Sequence, residues 1–505
     1  MDFFEKLRNT LNNEMNVSRT ENNALGSRTS GKNLVDLNFA VPSLRAASEN
    51  DLAGRYMKAY FDDRRAALLW LFYARDIRGG LGERRLFRMI LSYLAIHHGE
   101  LPFKKLIPLV PEYGRFDDLL CLMGTKQQNL VLDFFKEQLA RDRAAMETGS
   151  SVSLLAKWLP SVNASSAAAK LEARIIAKHL GMTEKQYRTT LSALRKYLDV
   201  VEQKMSRKAF GEIHYGTVPS RANVIYRKAF LRHDEERRKA FLESLKNGEE
   251  KINAGAVFPH EIVHAYMNSR FSPAAYDESL EQLWKALPSP AQDMGNTIVV
   301  ADGSGSMSVK AGTGSCSALS VANGLAIYFA ERCGGPFANR YITFSSRPQL
   351  VDLGKVKNLK EKLEIARTHN EVSNTNIEAV FELILTTALK DRMPQGTLPK
   401  NIVIISDMEF DACAENADAH LFKQIQKKYE TNGYRLPRLV FWNVNSRTNT
   451  IPVQENRQGV ALVSGFSIYI LNMVLSAKLD PYECLLDILE DERYAPAAEV
   501  IAALE

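Results

Sequence analysis

The stretch Thr297-Ile-Val-Val-Ala-Asp302-Gly-Ser-Gly-Ser306 joins a short β-branched run directly to a loop of small polar residues. A run of this length and composition is typical of a buried strand. Asp302 supplies a carboxylate where the strand ends, and Ser304 and Ser306 supply hydroxyl oxygens. The intervening glycines allow the backbone to turn tightly between these side chains. The stretch therefore predicts a sheet edge that carries hard oxygen donors.

Strands and helices alternate along the rest of the C-terminal region, over residues 291–505. Short β-branched runs predict strands, and longer segments with apolar residues at three- and four-residue steps predict helices. This alternation predicts an α/β fold with a mostly parallel, doubly wound sheet. The predicted strands are Thr297–Ala301, Arg340–Phe344, Asn401–Ser406, Arg438–Asn443 and Gly459–Val463, and the predicted helices are Ser317–Cys333, Ile377–Lys390, Ala419–Asn432, Ile468–Ala477 and Tyr482–Leu489.

Two further loops of this region carry oxygen donors. Thr375 lies in a polar loop before a predicted helix, and Asp407 follows a predicted strand. Because ligands of doubly wound sheets bind beyond the carboxyl ends of the strands, we expect both residues near the first loop. Two carboxylates and three hydroxyls suit a divalent cation, Mg²⁺ first and Ca²⁺ or Mn²⁺ as alternatives. The predicted ligands are Asp302, Ser304, Ser306, Thr375 and Asp407.

These five residues resemble the metal-ion-dependent adhesion site of von Willebrand factor A domains, in their order and in their strand context. The resemblance implies a noncatalytic cation with an open coordination position that accepts a carboxylate from an acidic protein partner. The alternative is the same fold with a site that stays empty or that binds metal without a partner. Glu409 and Asp411 are either groups that support the ligands or surface acids.

The preceding part of the chain lacks strand patterns. Residues 1–35 are polar and rich in Asn, Ser and Thr, which predicts a partly ordered arm. Residues 36–290 carry many helical periodicities with short connections, which predict an all-α helical-repeat array. The predicted helices include Arg64–Tyr73, Phe87–Ile96, Leu130–Leu139, Ala167–Leu180, Tyr187–Met205 and Arg237–Leu245.

Positive charge is concentrated in the helical region. Residues 36–295 contain 39 Lys and Arg against 31 Asp and Glu, whereas residues 296–505 contain 21 against 24. Residues 141–230 alone contain 16 against 7. Such a surface favours a polyanionic partner, although a solvated helical surface is the alternative. The residues that we expect to contact RNA phosphates are Lys170, Arg174, Lys178, Lys204, Arg207, Lys208, Arg221, Arg227 and Lys228.

Four segments of the helical region carry a second resemblance: Arg75–Arg84, Tyr113–Leu120, Lys157–Ser161 and Phe258–Val263. With the domain order, they resemble a family related to the TROVE-module proteins, which include the Ro sixty-kilodalton autoantigen. The resemblance covers about residues 35–505. It implies a HEAT-like ring or arc that binds small noncoding or misfolded RNA, closed by the A-like domain, with a monomeric ring favoured.

Two local patterns offer competing interpretations. His260-Glu261-Ile-Val-His264 matches the HExxH pattern of zinc proteases, but Pro259 stands where a helix would begin and we interpret the segment as helical framework. Arg75 to Arg84 encloses Gly79-Gly80 and Gly82, and forms either an anion site or a helix–helix turn with Arg–Asp pairs. We therefore expect no enzyme, and we keep a metal-dependent scaffold and a zinc protease as alternatives.

The bulk composition limits the cellular setting. The longest apolar runs are shorter than a membrane span, and the first residues lack the apolar core of a signal peptide. The cysteines are few, odd in number and widely spaced, which is typical of a reducing compartment. We expect a cytoplasmic protein without membrane contact. The cysteines are Cys121, Cys316, Cys333, Cys413 and Cys484.

Overall fold

The structure is a computed structural model that describes residues 3–267, 275–289, 294–311, 316–371, 373–412, 420–453, 459–470 and 480–502. The chain forms two compact units. The first comprises Met1–Asp63 and Ala254–Ile488, and the second comprises Arg64–Asn253 and Leu489–Glu505. The predicted domain boundaries at residues 35 and 290 were placed where the composition changes. The two units are instead defined by which residues pack together, and their boundaries therefore lie at other positions. We describe each unit by itself.

The second unit is helical throughout the residues that the structure describes. Asp199 interrupts the predicted helix Tyr187–Met205, because it adopts a left-handed conformation with a φ of 54° that an α-helix does not accommodate. The prediction of one continuous helix there was wrong. The helices of this unit are Arg64–Arg75, Arg84–His97, Phe103–Leu106, Val110–Tyr113, Gln128–Glu147, Leu155–Trp158, Ala167–His179, Glu184–Tyr197, Val201–Ser206, Ser220–His233, Glu235–Lys246 and Ala495–Ala502.

The first unit contains a six-stranded sheet and a separate two-stranded ribbon. In the sheet, all neighbouring pairs are parallel except β4 and β5, which form an antiparallel edge. The order of strands is β5-β4-β3-β6-β7-β8. The strands are β1 (Ser18–Arg19), β2 (Leu25–Gly26), β3 (Thr297–Asp302), β4 (Arg340–Phe344), β5 (Pro348–Asp352), β6 (Asn401–Ser406), β7 (Arg438–Asn443) and β8 (Val460–Ser464).

Helices surround this sheet, and the C-terminal region is therefore an α/β fold as predicted. The predicted helix Ile468–Ala477 lies outside the described residues beyond Ile470, and the part that is described is a 3-10 turn. No helix in the described residues is long and apolar enough to cross a membrane. The helices of the first unit are Phe3–Met15, Asn33–Phe39, Val41–Leu44, Glu49–Asp62, Pro259–Met267, Glu278–Lys285, Ala318–Ala330, Leu359–Thr368, Glu378–Lys390, Leu421–Thr431 and Pro481–Leu489.

The sheet is buried on both faces from β3 to β8. Every residue of β3, β7 and β8 is buried, which explains why these strands are continuous apolar runs rather than alternating ones. β3 and β6 pair in register over Thr297–Ala301 and Asn401–Ile405. Because the two strands are parallel neighbours, their carboxyl ends lie side by side. This arrangement places the residues that follow them in one small region.

Candidate functional site

The loop after β3 forms the first part of the site. Asp302 is 1% exposed, and its two carboxylate oxygens have different donors. The Ser304 amide donates to Oδ1 at 2.9 Å, and the Ser406 hydroxyl donates to Oδ2 at 2.6 Å. The second of these bonds connects the loop after β3 to the end of β6. The Ser304 and Ser306 hydroxyl oxygens lie 3.0 Å apart.

The loop before the helix Glu378–Lys390 provides Thr375, which is buried. Backbone hydrogen bonds hold this loop to its neighbours on both sides. The Gly305 amide donates to the Ser373 carbonyl at 3.2 Å, and the Asp411 amide donates to the Thr375 carbonyl at 3.1 Å. The Thr375 amide donates in return to Asp411 Oδ2 at 3.1 Å. Asp411 is thus a supporting group, and the three loops meet as the sequence predicts.

The loop after β6 provides Asp407, which is fully buried. Met408, the next residue, has a φ of 65°, in the left-handed region that an unbranched L side chain seldom adopts. The Ser406 hydroxyl accepts the Met408 amide at 2.9 Å and stabilises this conformation. Backbone strain of this kind is common at functional sites.

The two carboxylates share a buried and electrostatically unfavourable setting. Burial, and then the neighbouring charge of Asp407, raise the pKa of Asp302 to about 7. Burial also raises the pKa of Asp407, against the hydrogen bond from Ser306 and the charge of Arg447. Two buried carboxylates repel each other when both are ionised and their charges are not neutralised. A divalent cation held between the two carboxylates would relieve this repulsion.

The donor set fits a hard cation. All five predicted ligands offer oxygen, and four of them are buried. The separation of 3.0 Å between the Ser304 and Ser306 hydroxyls agrees with the spacing of about 3.0 Å between adjacent ligands of an octahedral Mg²⁺ with bonds of about 2.1 Å. Among the described residues no group of three or more His, Cys, Asp or Glu could hold a metal; the predicted site has two carboxylates and otherwise hydroxyls.

The site also contains Arg447, which the sequence does not predict. Arg447, in the loop after β7, donates from Nη1 to Asp407 Oδ2 at 3.1 Å. It also pairs with Glu21 of the N-terminal arm, with a distance of 2.8 Å from Nε to Oε2. Arg447 lies more than 30 residues after the last predicted ligand, so no local sequence pattern connects it to the site. It reaches the site only because β6 and β7 are parallel neighbours.

The N-terminal arm also reaches the site. Asn22 Nδ2 donates to Thr375 Oγ1 at 3.3 Å and to the Glu409 carbonyl at 2.7 Å. Glu409 is fully buried, and its carboxylate accepts the backbone amides of Glu21 at 2.8 Å and Arg447 at 2.7 Å. Glu409 is therefore a supporting group that fastens both the arm and the loop after β7 to the site.

Arg447 places a positive charge beside one ligand, so it opposes cation binding. We predict that Arg447→Gln tightens Mn²⁺ binding about fivefold, because it removes a repulsion of about 1 kcal/mol at a solvent-exposed position. Isothermal titration of the purified chain measures this change. Arg435→Gln is the matched control, since Arg435 is exposed and precedes β7 at the opposite sheet edge. Weaker binding in Arg447→Gln would mean that its main role is to hold the loops.

The nine predicted RNA-contacting residues of the second unit differ in burial and in pairing. Lys204 is buried, and its ammonium donates to Asp199 at 2.7 Å and to the Glu212 carbonyl at 2.5 Å. This pairing gives Lys204 a structural role, so we remove it from the RNA-contacting set. Arg174 forms an exposed pair with Glu184 at 2.9 Å. The other candidates are exposed or half-buried: Lys170, Lys178, Arg207, Lys208, Arg221, Arg227 and Lys228.

The Gly-rich turn from Arg75 to Arg84 is a helix–helix connection with Arg–Asp pairs. Asp118 accepts Arg75 at 2.7 Å and Arg84 at 2.8 Å, and Asp76 pairs with Arg493. Gly80 is required because a Cβ there would lie 1.9 Å from the Tyr73 carbonyl oxygen. These carboxylates already neutralise the arginines, so the geometry favours the turn over an anion site.

The HExxH segment forms part of the framework around the sheet. The helix Pro259–Met267 packs against Ala318–Ala330, and a Cβ at Gly324 would lie 3.2 Å from the His260 backbone nitrogen. The Glu261 carboxylate accepts the Phe258 amide at 3.1 Å, which caps its own helix. The His260 ring lies 4.7 Å from the Phe466 ring. These contacts give His260 a packing role and Glu261 a capping role, and a protease would use these two residues for zinc and for general base catalysis.

Two protein-family models match the chain. The domain of unknown function DUF7788 matches residues 296–493, and the domain of unknown function DUF2828 matches residues 128–296. The chain is also 30% identical over 514 residues to the uncharacterized protein L728 of Acanthamoeba polyphaga mimivirus, which covers 94% of this chain and 87% of that protein. The first model encloses all five predicted oxygen ligands, and the second encloses all nine basic candidates.

Proposed function

We propose that this chain, which belongs to the family of the mimivirus protein L728, is a noncatalytic RNA-binding protein with a divalent cation in a von Willebrand factor A-like unit. The convergence of three loops on the carboxyl ends of β3 and β6 carries the cation part of the proposal. The mostly parallel six-stranded sheet, in which β3 and β6 are central neighbours, supports this part of the proposal.

In this proposal the cation has an adhesive role. Asp302, Ser304, Ser306, Thr375 and Asp407 hold it, and the cation when bound offers an open position to a carboxylate of an acidic partner. The buried hydrogen bond from the Ser406 hydroxyl keeps Asp302 oriented before the cation binds. Hydrogen bonds from residues that do not themselves touch the metal orient the ligands in this way in metal sites.

The helical unit provides the RNA part of the proposal. Its support is the excess of positive charge within residues 141–230, where every RNA-contacting candidate except Lys204 is exposed or half-buried. Lysine and arginine neutralise phosphates and release counterions, so affinity falls steeply as salt rises. The resemblance to TROVE-module proteins adds a HEAT-like ring or arc and small noncoding or misfolded RNA as the expected ligand.

We predict that the triple variant Lys170→Glu, Arg174→Glu, Lys178→Glu weakens binding of a small structured RNA. The slope of log K against log salt is expected to fall by about two to three, since each phosphate contact contributes about 0.7–0.9. Fluorescence anisotropy at a series of salt concentrations measures both quantities. The matched control reverses Lys355, Lys357 and Lys390, which are exposed on the first unit and change the net charge equally.

A metal-dependent scaffold without nucleic acid is the second candidate, and the convergence of the three oxygen-bearing loops favours it. Under that candidate the wild-type chain fails to bind RNA even at low salt, while Asp302→Ala abolishes capture of an acidic partner. Under the first candidate RNA binding survives Asp302→Ala and fails in the triple variant. RNA binding by the wild type, by Asp302→Ala and by the triple variant therefore distinguishes the two candidates.

A further inference from the structure

A cavity of about 690 Å³ opens in the second unit between three helices, Leu155–Trp158, Glu184–Tyr197 and Val201–Ser206. Its volume lies within the range of about 300–1,000 Å³ that small-molecule sites occupy. The charged and aromatic residues of its lining are Lys157, Trp158, Arg195, Lys196, Glu202 and Arg207. Four cations face one carboxylate, so the cavity favours an anionic ligand.

The tryptophan of this cavity is held by its surroundings. The Arg115 guanidinium lies 4.1 Å from the centroid of the Trp158 ring. Arg195 donates to the carbonyls of Ala156 at 2.7 Å and Leu159 at 2.8 Å, and so ties the segment on both sides of Trp158 to the helix Glu184–Tyr197. Trp158 is half-buried. An indole fixed by its neighbours and bordering an open cavity suits stacking against a planar ring.

We infer that this cavity binds one unpaired nucleotide of an RNA strand, with the base against Trp158 and the phosphate between Lys196 and Arg207. A planar aromatic ring beside several cations is the chemistry that recognises a nucleoside phosphate. Lys196 and Arg207 are both exposed, and the pair that Arg207 forms with Glu212 at 3.5 Å is exposed on both sides, so these cations meet phosphate without a large desolvation cost. The inference rests on the proposed RNA-binding function and locates its most specific contact.

Intrinsic fluorescence isolates the tested residue. The chain has four tryptophans, and the other three are at most 3% exposed: Trp70, Trp284 and Trp442. Titration of the full-length chain with a short single-stranded oligouridylate at low salt is therefore expected to quench the solvent-exposed, red-shifted part of the emission. In Trp158→Leu the quench is expected to vanish and the affinity to fall about tenfold to hundredfold.

A second variant keeps the test valid even where Trp158→Leu folds poorly. Lys196→Glu with Arg207→Glu changes only exposed side chains, and is expected to retain the emission spectrum of Trp158 while losing the quench. The control Lys185→Glu with Arg188→Glu alters two exposed residues on the first turns of the helix Glu184–Tyr197, neither of which lines the cavity. It is expected to retain the quench.

Three outcomes separate the two claims. Salt-dependent RNA binding without a Trp158 quench overturns the cavity and leaves the proposed function standing. Absence of RNA binding at low salt overturns both. Quenching by uridine monophosphate alone, with no response to oligouridylate, identifies a site for a free nucleotide and overturns the assignment to an RNA strand.

Discussion

Asp302→Asn is expected to abolish divalent cation binding and, in the same measurement series, to stabilise the metal-free protein. Asp302 is the fully buried carboxylate at the end of β3, and its oxygens accept Ser304 and Ser406. Substitutions of groups that merely support metal ligands cost about 10–100-fold in affinity, so loss of a ligand is expected to exceed about 100-fold. Isothermal titration with Mn²⁺ measures this loss directly.

Asp302→Asn is expected to weaken metal binding but to stabilise the metal-free protein. In the absence of a cation the carboxylates of Asp302 and Asp407 repel each other in a buried setting, and an amide removes that repulsion. We expect the melting temperature of metal-free Asp302→Asn to rise, by about 2–4 °C for each kcal/mol gained. The wild-type chain instead gains about 2.7 kcal/mol from metal at roughly 100 times its Kd, and the variant gains nothing.

The control for this pair of measurements is Asp352→Asn. Asp352 is an exposed carboxylate on the edge strand β5, and its substitution is expected to leave both the affinity and the melting temperature unchanged. Metal analysis by mass spectrometry accompanies the titration. One tightly bound zinc per chain, retained in Asp302→Asn, would contradict the oxygen-ligand site and return attention to His260 and His264.

The sequence predicts those residues of the site that directly follow a strand along the chain. The continuous apolar runs of β3 and β6 are recognisable because both faces of these strands are buried. Once the two strands are parallel neighbours, Asp302 and Asp407 must follow them at the same edge. The edge strand β5 was missed because only Val351 of its five residues is buried, which leaves no apolar pattern.

The missed residues are those that packing brings in from far along the chain. Asn22 meets Thr375 across 353 positions, and Glu21 meets Arg447 across 426. Residues 20–22 of the arm pair with buried groups of the site, and composition alone cannot distinguish such pairing from solvation. Lys204 illustrates the reverse error: its sequence context is that of a surface lysine, but the left-handed Asp199 turns the chain so that the two side chains pair.

Asp118→Ala is expected to destabilise the second unit by about 3–5 kcal/mol. Asp118 is fully buried and accepts Arg75 Nε at 2.7 Å, Arg84 Nε at 2.8 Å and the Arg115 amide at 3.0 Å. Arg75 is only 5% exposed. Removal of one partner of a buried pair leaves the other charge uncompensated, which accounts for the size of the effect. Urea denaturation followed by circular dichroism measures it.

The adjacent carboxylate is the matched control, because Asp117→Ala removes an equal charge from a more exposed position. The Asp117 side chain is 17% exposed and its partner Arg84 is 38% exposed, so we expect a loss below about 1 kcal/mol. Equal losses in the two variants would contradict the buried pair as the source of stability.

Acid titration tests the same pair without substitution. Burial raises the pKa of Asp118, but the charges and hydrogen bonds of Arg75 and Arg84 outweigh it and hold the pKa below its ordinary value. A carboxyl whose pKa is lower in the folded than in the unfolded state stabilises the fold above its ordinary pKa. The difference in stability between wild type and Asp118→Ala is therefore expected to be complete at neutral pH and to shrink as the pH falls through the folded-state pKa. A difference that stays constant through acid pH would show that lost packing, rather than the paired charge, causes the destabilisation.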